Sequence, residues 1–134
     1  MRHAYEWVLL RLVPRVERGE FVNVGAVVYS QSAEVLVAAV ELDEARALAL
    51  CPSTDLTAVR EHLVAVEALC RGDASTGASG SRPPGERFRW LVAPRSTMVQ
   101  ASPVHTGVAA EPAAELDRLV SSLVRCPPAA GSPS

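Results

Sequence analysis

Two apolar runs near the N-terminus, Ala4 to Val13 and Phe21 to Ser30, flank a charged connection from Pro14 to Glu20, and this arrangement constrains the fold more than any other feature. Both runs are rich in β-branched, aromatic and aliphatic residues, so each reads as a strand. Pro14 ends the first, because it has no N–H to offer a ladder, and Gly19 can take the positive φ of a tight reversal. A hairpin is expected. Alternation puts Ala4, Val8, Leu10 and Leu12 on one face of the first strand and Tyr5, Trp7, Leu9, Arg11 and Val13 on the other. On the second it groups Val22, Val24, Ala26 and Val28 against Phe21, Asn23, Gly25, Val27 and Tyr29. An asparagine two residues before a glycine is unusual on a core strand and marks the close approach of another group.

A turn at Gln31 and Ser32 leads to a third strand, Val35 to Val40. From Leu42 the period becomes helical. A short helix ends near Cys51 and Pro52, and a longer one runs from Asp55 to Arg71, where Leu56, Val59, Leu63, Val66 and Cys70 recur at three-four spacing. The stretch at about 72–85, rich in Gly, Ser and Pro, reads as a flexible loop within one domain. Arg87 to Val92 alternates, with Phe88, Trp90 and Val92 inward, and reads as a strand; a further short strand is expected from Thr97 to Ala101. Pro112 opens a last helix with Leu116, Leu119, Val120, Leu123 and Val124 on one stripe, and Pro127 stops it. Residues 127–134 read as a disordered tail. The expected architecture is a single α+β domain over 1–126, with a mainly antiparallel sheet of about five strands and two longer helices packed on one face.

Composition removes several functions. All thirteen basic residues are arginine, and without lysine there is no Schiff base, phosphate-loop lysine or kinase lysine. A net charge of −2 argues against general nucleic-acid binding. Cys51, Cys70 and Cys126 are odd in number and widely spaced, which suits buried, reduced thiols rather than disulfides or zinc. His3, His62 and His105 are isolated, so no metal and no cofactor are expected. No apolar run approaches the roughly 20 residues needed to span a bilayer, and no signal-peptide pattern opens the chain. A cytoplasmic location without a membrane partner is the expectation.

Two polar segments, Arg18 to Gly25 and Pro94 to Gly107, are the candidate working surface. Arg18 and Glu20 read either as a solvated turn with a local ion pair or as a recognition loop. The Asn23 amide, if buried, must find neighbouring backbone or a ligand. Arg82, Arg87, Arg89 and Arg95 fall close together with one acid, Glu86, and Arg11, Arg15 and Arg18 join them if the hairpin lies alongside. Guanidinium groups hold carboxylate or phosphate by a two-point fork, unless Glu17, Glu20 and Glu86 neutralise them pairwise. Ser96, Thr97, Gln100, Ser102, His105 and Thr106 bring hydroxyls and one imidazole together in sequence, but no GxSxG elbow is present. His105 reads as a loop histidine bonded to backbone or, alternatively, as an acid or base.

The string Val13, Pro14, Arg15, Val16, Glu17, Arg18, Gly19, Glu20, Phe21, Val22, Asn23, Val24, Gly25 resembles the opening motif of a bacterial family known as domain of unknown function 3037. Arg87 to Thr97, followed by Ser102, Pro103, Val104, His105, Thr106 and Gly107, resembles its C-terminal signature. The likeness runs from about Tyr5 to Val124 with a variable middle. It implies no reaction and supplies no catalytic residues. It does imply a partner, since members are often encoded beside a kinase-like protein similar to the HipA toxin family. The reading is a non-catalytic binding or accessory protein, with Arg18, Glu20, Asn23, Arg89, Arg95, Ser96 and His105 as the candidate contact residues. The alternative is a small enzyme whose Arg89 and Arg95 hold an anionic substrate while His105 acts as acid or base. A third reading is nucleic-acid binding through the arginine patch.

Overall fold

A computed structural model describes residues 1–95 and 97–126. Strands β1 (His3–Leu12) and β2 (Val22–Ser30) form the expected antiparallel hairpin, closed by a 3-10 turn over Val16–Arg18 and by Gly19 at φ 69°. Strand β3 (Val35–Val40) pairs antiparallel with the outer side of β2. On its other side β1 carries two short strands in succession, β4 (Val99–Ala101) and β5 (His105–Ala109). β1 is therefore the central strand of a five-stranded sheet, and everything placed on it is framed by neighbours on both sides.

The β1–β2 register contains one irregularity that decides which residues share a face. Leu10 pairs with Gly25 but Arg11 pairs with Asn23, so Val24 is an extra residue on β2. Such a bulge inverts the alternation beyond it. Val22, Val24 and Val27 consequently pack with Val8, Leu10 and Leu12 in one core, while Ala26 and Val28 join Tyr5 and Leu9 in a second core on the opposite face. Strict alternation had grouped Ala26 and Val28 with Val22 and Val24; the bulge separates them.

Helices close both faces. Helix α1 (Glu44–Leu50) and helix α2 (Leu56–Arg71) start on Asp43 and Asp55, whose carboxylates accept from the N–H groups of Arg46 and Ala58. Gly72 ends α2 in the left-handed region at φ 74°. Helix α3 (Pro84–Val92) follows a 3-10 turn over Ala74–Thr76, and its Phe88 is fully buried beside Val59, Leu63 and Cys70 of α2. Arg87 to Val92 is thus helical rather than a strand. Phe88, Leu91 and Val92 form an i, i+3, i+4 stripe against this core, whereas Trp90, expected inside, is 51% exposed. Prolines at 83 and 84 favour a helix start, so α3 also takes the end of the expected loop at 72–85.

The sheet keeps five strands because His105–Ala109, read as loop in sequence, supplies the fifth. Of the two longer helices expected on one face, α2 packs there together with α3, whereas the C-terminal helix lies across the other. It is built from a 3-10 turn (Pro112–Ala114), helix α4 (Glu115–Leu119) and a wider π-helical turn (Val120–Val124), which together place Leu119, Val120 and Val124 over Tyr5, Ala26 and Val28. The molecule is a single α+β domain. The expected tail, 127–134, lies outside the described residues.

Candidate functional site

The two polar segments sit on opposite sides of β1 and are brought together by it. Arg11 pairs with Asn23 of β2 on one side and with Gln100 of β4 on the other, giving a polar row across three strands. Val99 and Ala101 pack into the core beneath α2 and α3, so alternation turns Gln100 to the opposite face. That face is the one carrying the C-terminal helix, whose Leu123 carbonyl accepts from Asn23 Nδ2 at 2.9 Å. The Arg11 guanidinium carbon stands 4.1 Å from the centre of the Phe21 ring. Phe21 and Leu123 are both substantially exposed and border the row with apolar surface.

Two atoms in this row are unusual. Arg11 Nε and Asn23 Oδ1 are buried and have no hydrogen-bond partner among the described residues. Further along the same face, Trp7 pairs with His105 and their rings stack with centroids 4.3 Å apart. Next to them, Gly107 lies under the Tyr5 ring.

Ser102 organises the junction between β4 and β5. Leu10 pairs with Ala101 and Trp7 with His105, so Val8 and Leu9 face the longer stretch Ser102, Pro103, Val104. Ser102 N–H donates to the Leu9 carbonyl, and its Oγ accepts the Leu9 N–H, both at 2.8 Å. The buried Ser102 hydroxyl thus stands in for the strand carbonyl that would otherwise accept the Leu9 N–H. The irregularity sets His105 on the Trp7 face.

The remaining candidates lie elsewhere. Arg18 and Glu20 form an exposed ion pair at the hairpin, Nε to Oε1 2.5 Å, and the hydrogen bond from Arg18 holds the Glu20 carboxyl below its ordinary pKa. Arg89 pairs with Glu6 at 2.8 Å on the α3 side of the sheet. The Arg95 guanidinium lies over the Trp90 ring at 3.5 Å and donates to the Trp90 carbonyl. Ser96 lies outside the described residues. Of the candidate residues, then, Asn23 and His105 share a face, Arg18 and Glu20 mark the hairpin tip, and Arg89 and Arg95 belong to α3 and its end. Trp7, Arg11, Phe21 and Gln100 complete the row and its surroundings; none was among the seven contact residues, although Phe21 and Gln100 lie within the two polar segments and Arg11 was grouped with the arginines. A charged Arg11 within an apolar strand, on the same parity as Trp7, is the signal that pointed to it.

The arginine cluster is largely consumed by local partners. Arg15 meets Glu17 at 2.9 Å and Arg82 meets Glu86 at 3.5 Å. Arg87 donates to the carbonyls of Leu69, Cys70 and Arg82 at 2.8, 2.7 and 2.9 Å, closing the C-terminal end of α2. Among the described residues no group of three or more His, Cys, Asp or Glu is placed to hold a metal ion. No described helix is long and apolar enough to cross a membrane. Burial pushes the Cys70 thiol up to about 12, whereas a hydrogen bond with Ser53 lowers that of Cys51.

Fold and surface together define a small open-sheet α+β domain with a polar row crossing its central strand. Residues 7–124 match the family described as Protein of unknown function (DUF3037), and the chain belongs to that family. No curated protein and no solved structure matches it. Both sequence motifs fall within the matched span, the first supplying Phe21 and Asn23 and the second Ser102, His105 and Gly107.

Proposed function

We propose that this chain is a non-catalytic binding or accessory protein that holds a polypeptide partner across the Asn23–Arg11–Gln100 row. The observation that carries this reading is the pair of unpartnered buried atoms on registered neighbours, a donor at Arg11 Nε and an acceptor at Asn23 Oδ1. An unsatisfied buried polar group costs about 1–3 kcal/mol, so two side by side favour a ligand that supplies both partners. A peptide unit carries one C=O and one N–H. A fully ionised phosphate carries acceptors and would satisfy Arg11 alone. The exposed Phe21 ring, which covers the guanidinium, swings aside to admit the partner and then packs on it together with Leu123. Stacking of His105 on Trp7, with Arg89 and Arg95 associated with α3, supports binding over turnover of an anion.

The partner suggested by the family resemblance is the HipA-like kinase. Size-exclusion chromatography of the two purified proteins at micromolar concentration tests the reading. Co-elution is expected for the native chain, with loss of the complex on Arg11→Gln and on Phe21→Ser. Separate elution of the native proteins, or a complex indifferent to both substitutions, would overturn it.

A further inference from the structure

The two edges of the sheet are treated differently. The β4–β5 edge is broken into strands of three and five residues by an irregular junction containing Pro103, a common way of blunting an edge against pairing. The β3 edge has no such protection. It runs Val35, Leu36, Val37, Ala38, Ala39, Val40, with no charge, no proline and an unbroken register against β2.

Hydrogen bonding shows which groups of β3 are free. The Glu41 N–H donates to the Val24 carbonyl at 2.8 Å, and in the register that pairs Val40 with Gly25 these two residues are direct partners. Antiparallel ladders alternate hydrogen-bonded and non-hydrogen-bonded pairs, so Val35, Val37 and Ala39 also bond to β2. The N–H and C=O groups of Leu36, Ala38 and Val40 therefore point away from the sheet. None of them meets a backbone partner in a turn or loop among the described residues. Side chains on β3 are already engaged on both faces: Leu36, Ala38 and Val40 pack toward the α2 side, Val37 and Ala39 toward the C-terminal helix. What remains open is backbone, and its complement is a strand.

We propose that this edge pairs with the same edge of a second copy of the chain, antiparallel about a two-fold axis through Ala38, so that the sheet continues across the dimer. The outward groups are symmetric about Ala38. A two-fold there sets Leu36 against Val40 of the second copy and Ala38 against Ala38, each pair exchanging both of its hydrogen bonds, and it satisfies every outward group of Leu36, Ala38 and Val40 at once. Side chains brought together are apolar, and the smallest sits on the axis. Glu41, which this register brings opposite Val35 of the second copy, is paired with Arg125 at 2.8 Å. Glu34 leaves the extended conformation at φ 55°, which ends the strand before its charge enters the ladder. An unrelated strand can offer the same alternating groups, but a second copy brings an equally open edge, so one contact satisfies both.

The proposal is independent of the binding row on β1. It is tested by sedimentation equilibrium and amide hydrogen exchange on the full chain from low to high micromolar concentration. A monomer–dimer equilibrium is expected, with the amides of Leu36, Ala38 and Val40 slowing by at least about tenfold as dimer forms, while those of Val37 and Ala39 are protected throughout. Ala38→Pro removes one outward donor and no bond to β2, so it is expected to remain monomeric. If that variant does not fold, the concentration series on the native chain decides alone. A monomer at every concentration, a dimer in which these three amides still exchange fast, or protection that does not change with concentration would each overturn the proposal.

Discussion

Gly107 lies opposite Tyr5 in the β1–β5 ladder, and a Cβ at position 107 would fall 2.6 Å from both Cζ and the hydroxyl oxygen of the tyrosine. Tyr5 is buried and packs in the core under the C-terminal helix, so its ring has little room to retreat. Gly107→Ala is therefore expected to destabilise the fold by about 1–3 kcal/mol, the usual range for forcing volume into a packed site. Urea unfolding measures it. Because the two residues touch, combining Gly107→Ala with Tyr5→Leu should cost less than the two changes added together. Simple additivity would show that the ring does not occupy this space.

Ser102→Ala tests the junction that places His105. The substitution leaves the Leu9 N–H without its side-chain acceptor in a buried position, at an expected loss of about 1–3 kcal/mol. The Leu9 amide is the specific reporter. Its hydrogen exchange should accelerate more than that of Val8, which pairs with Val27 on the other side of β1. Equal acceleration along the strand would indicate general loosening.

The parts of this fold legible in the sequence are those with long patterns and explicit stops. β1, β2 and α2 were of this kind: Pro14 and Gly19 marked the reversal, and Gly72 ended the helix that Asp55 caps. Short segments failed for a common reason. Over Arg87 to Val92, alternation through Phe88, Trp90 and Val92 and a helical stripe through Phe88, Leu91 and Val92 describe the same residues, and only Pro83 and Pro84 upstream favoured the helix. The bulge at Val24 left one hint, Gly25, whose added Cβ would stand 2.7 Å from the Ala39 carbonyl oxygen. β5 escaped because an exposed edge strand need not alternate in hydrophobicity. In the candidate site, Asn23 was conspicuous in sequence, but its relation to Arg11 and Gln100 is a matter of register between strands. The close ion pairs Arg15–Glu17 and Arg18–Glu20 were visible as neighbours, while Arg89–Glu6 joins residues 83 positions apart.

Arg87 and Arg18 should respond very differently to removal. Arg87 donates to two carbonyls at the end of α2 and to Arg82, and Gly72 leaves the space beside it open, since a Cβ there would approach its Nη1 at 3.3 Å. Arg87→Ala is expected to cost about 1–3 kcal/mol, and Arg87→Lys should recover part of that by keeping the charge without the planar fork. Arg18 and Glu20 are solvated, and Arg18→Ala should leave stability nearly unchanged, with even that small effect reduced by salt. Urea midpoints at low and high salt check both.

Cys70 gives the chain a defined alkaline limit. Its thiol is buried against Phe88 and the strands, and burial raises its pKa from 9.0 to about 12. Between those values the unfolded chain releases a proton that the folded chain keeps, so stability is complete below the unfolded pKa and declines as pH rises. The slope attributable to this group is about 1.4 kcal/mol per pH unit, which amounts to roughly 2 kcal/mol by about pH 10.5. Cys70→Ala lowers stability at neutral pH by leaving a small void, yet it removes this slope. Under reducing conditions, the native chain should therefore lose about 2 kcal/mol more than Cys70→Ala between about pH 8 and pH 10.5. Parallel losses in the two proteins would mean that Cys70 ionises in the folded state as readily as in the unfolded one.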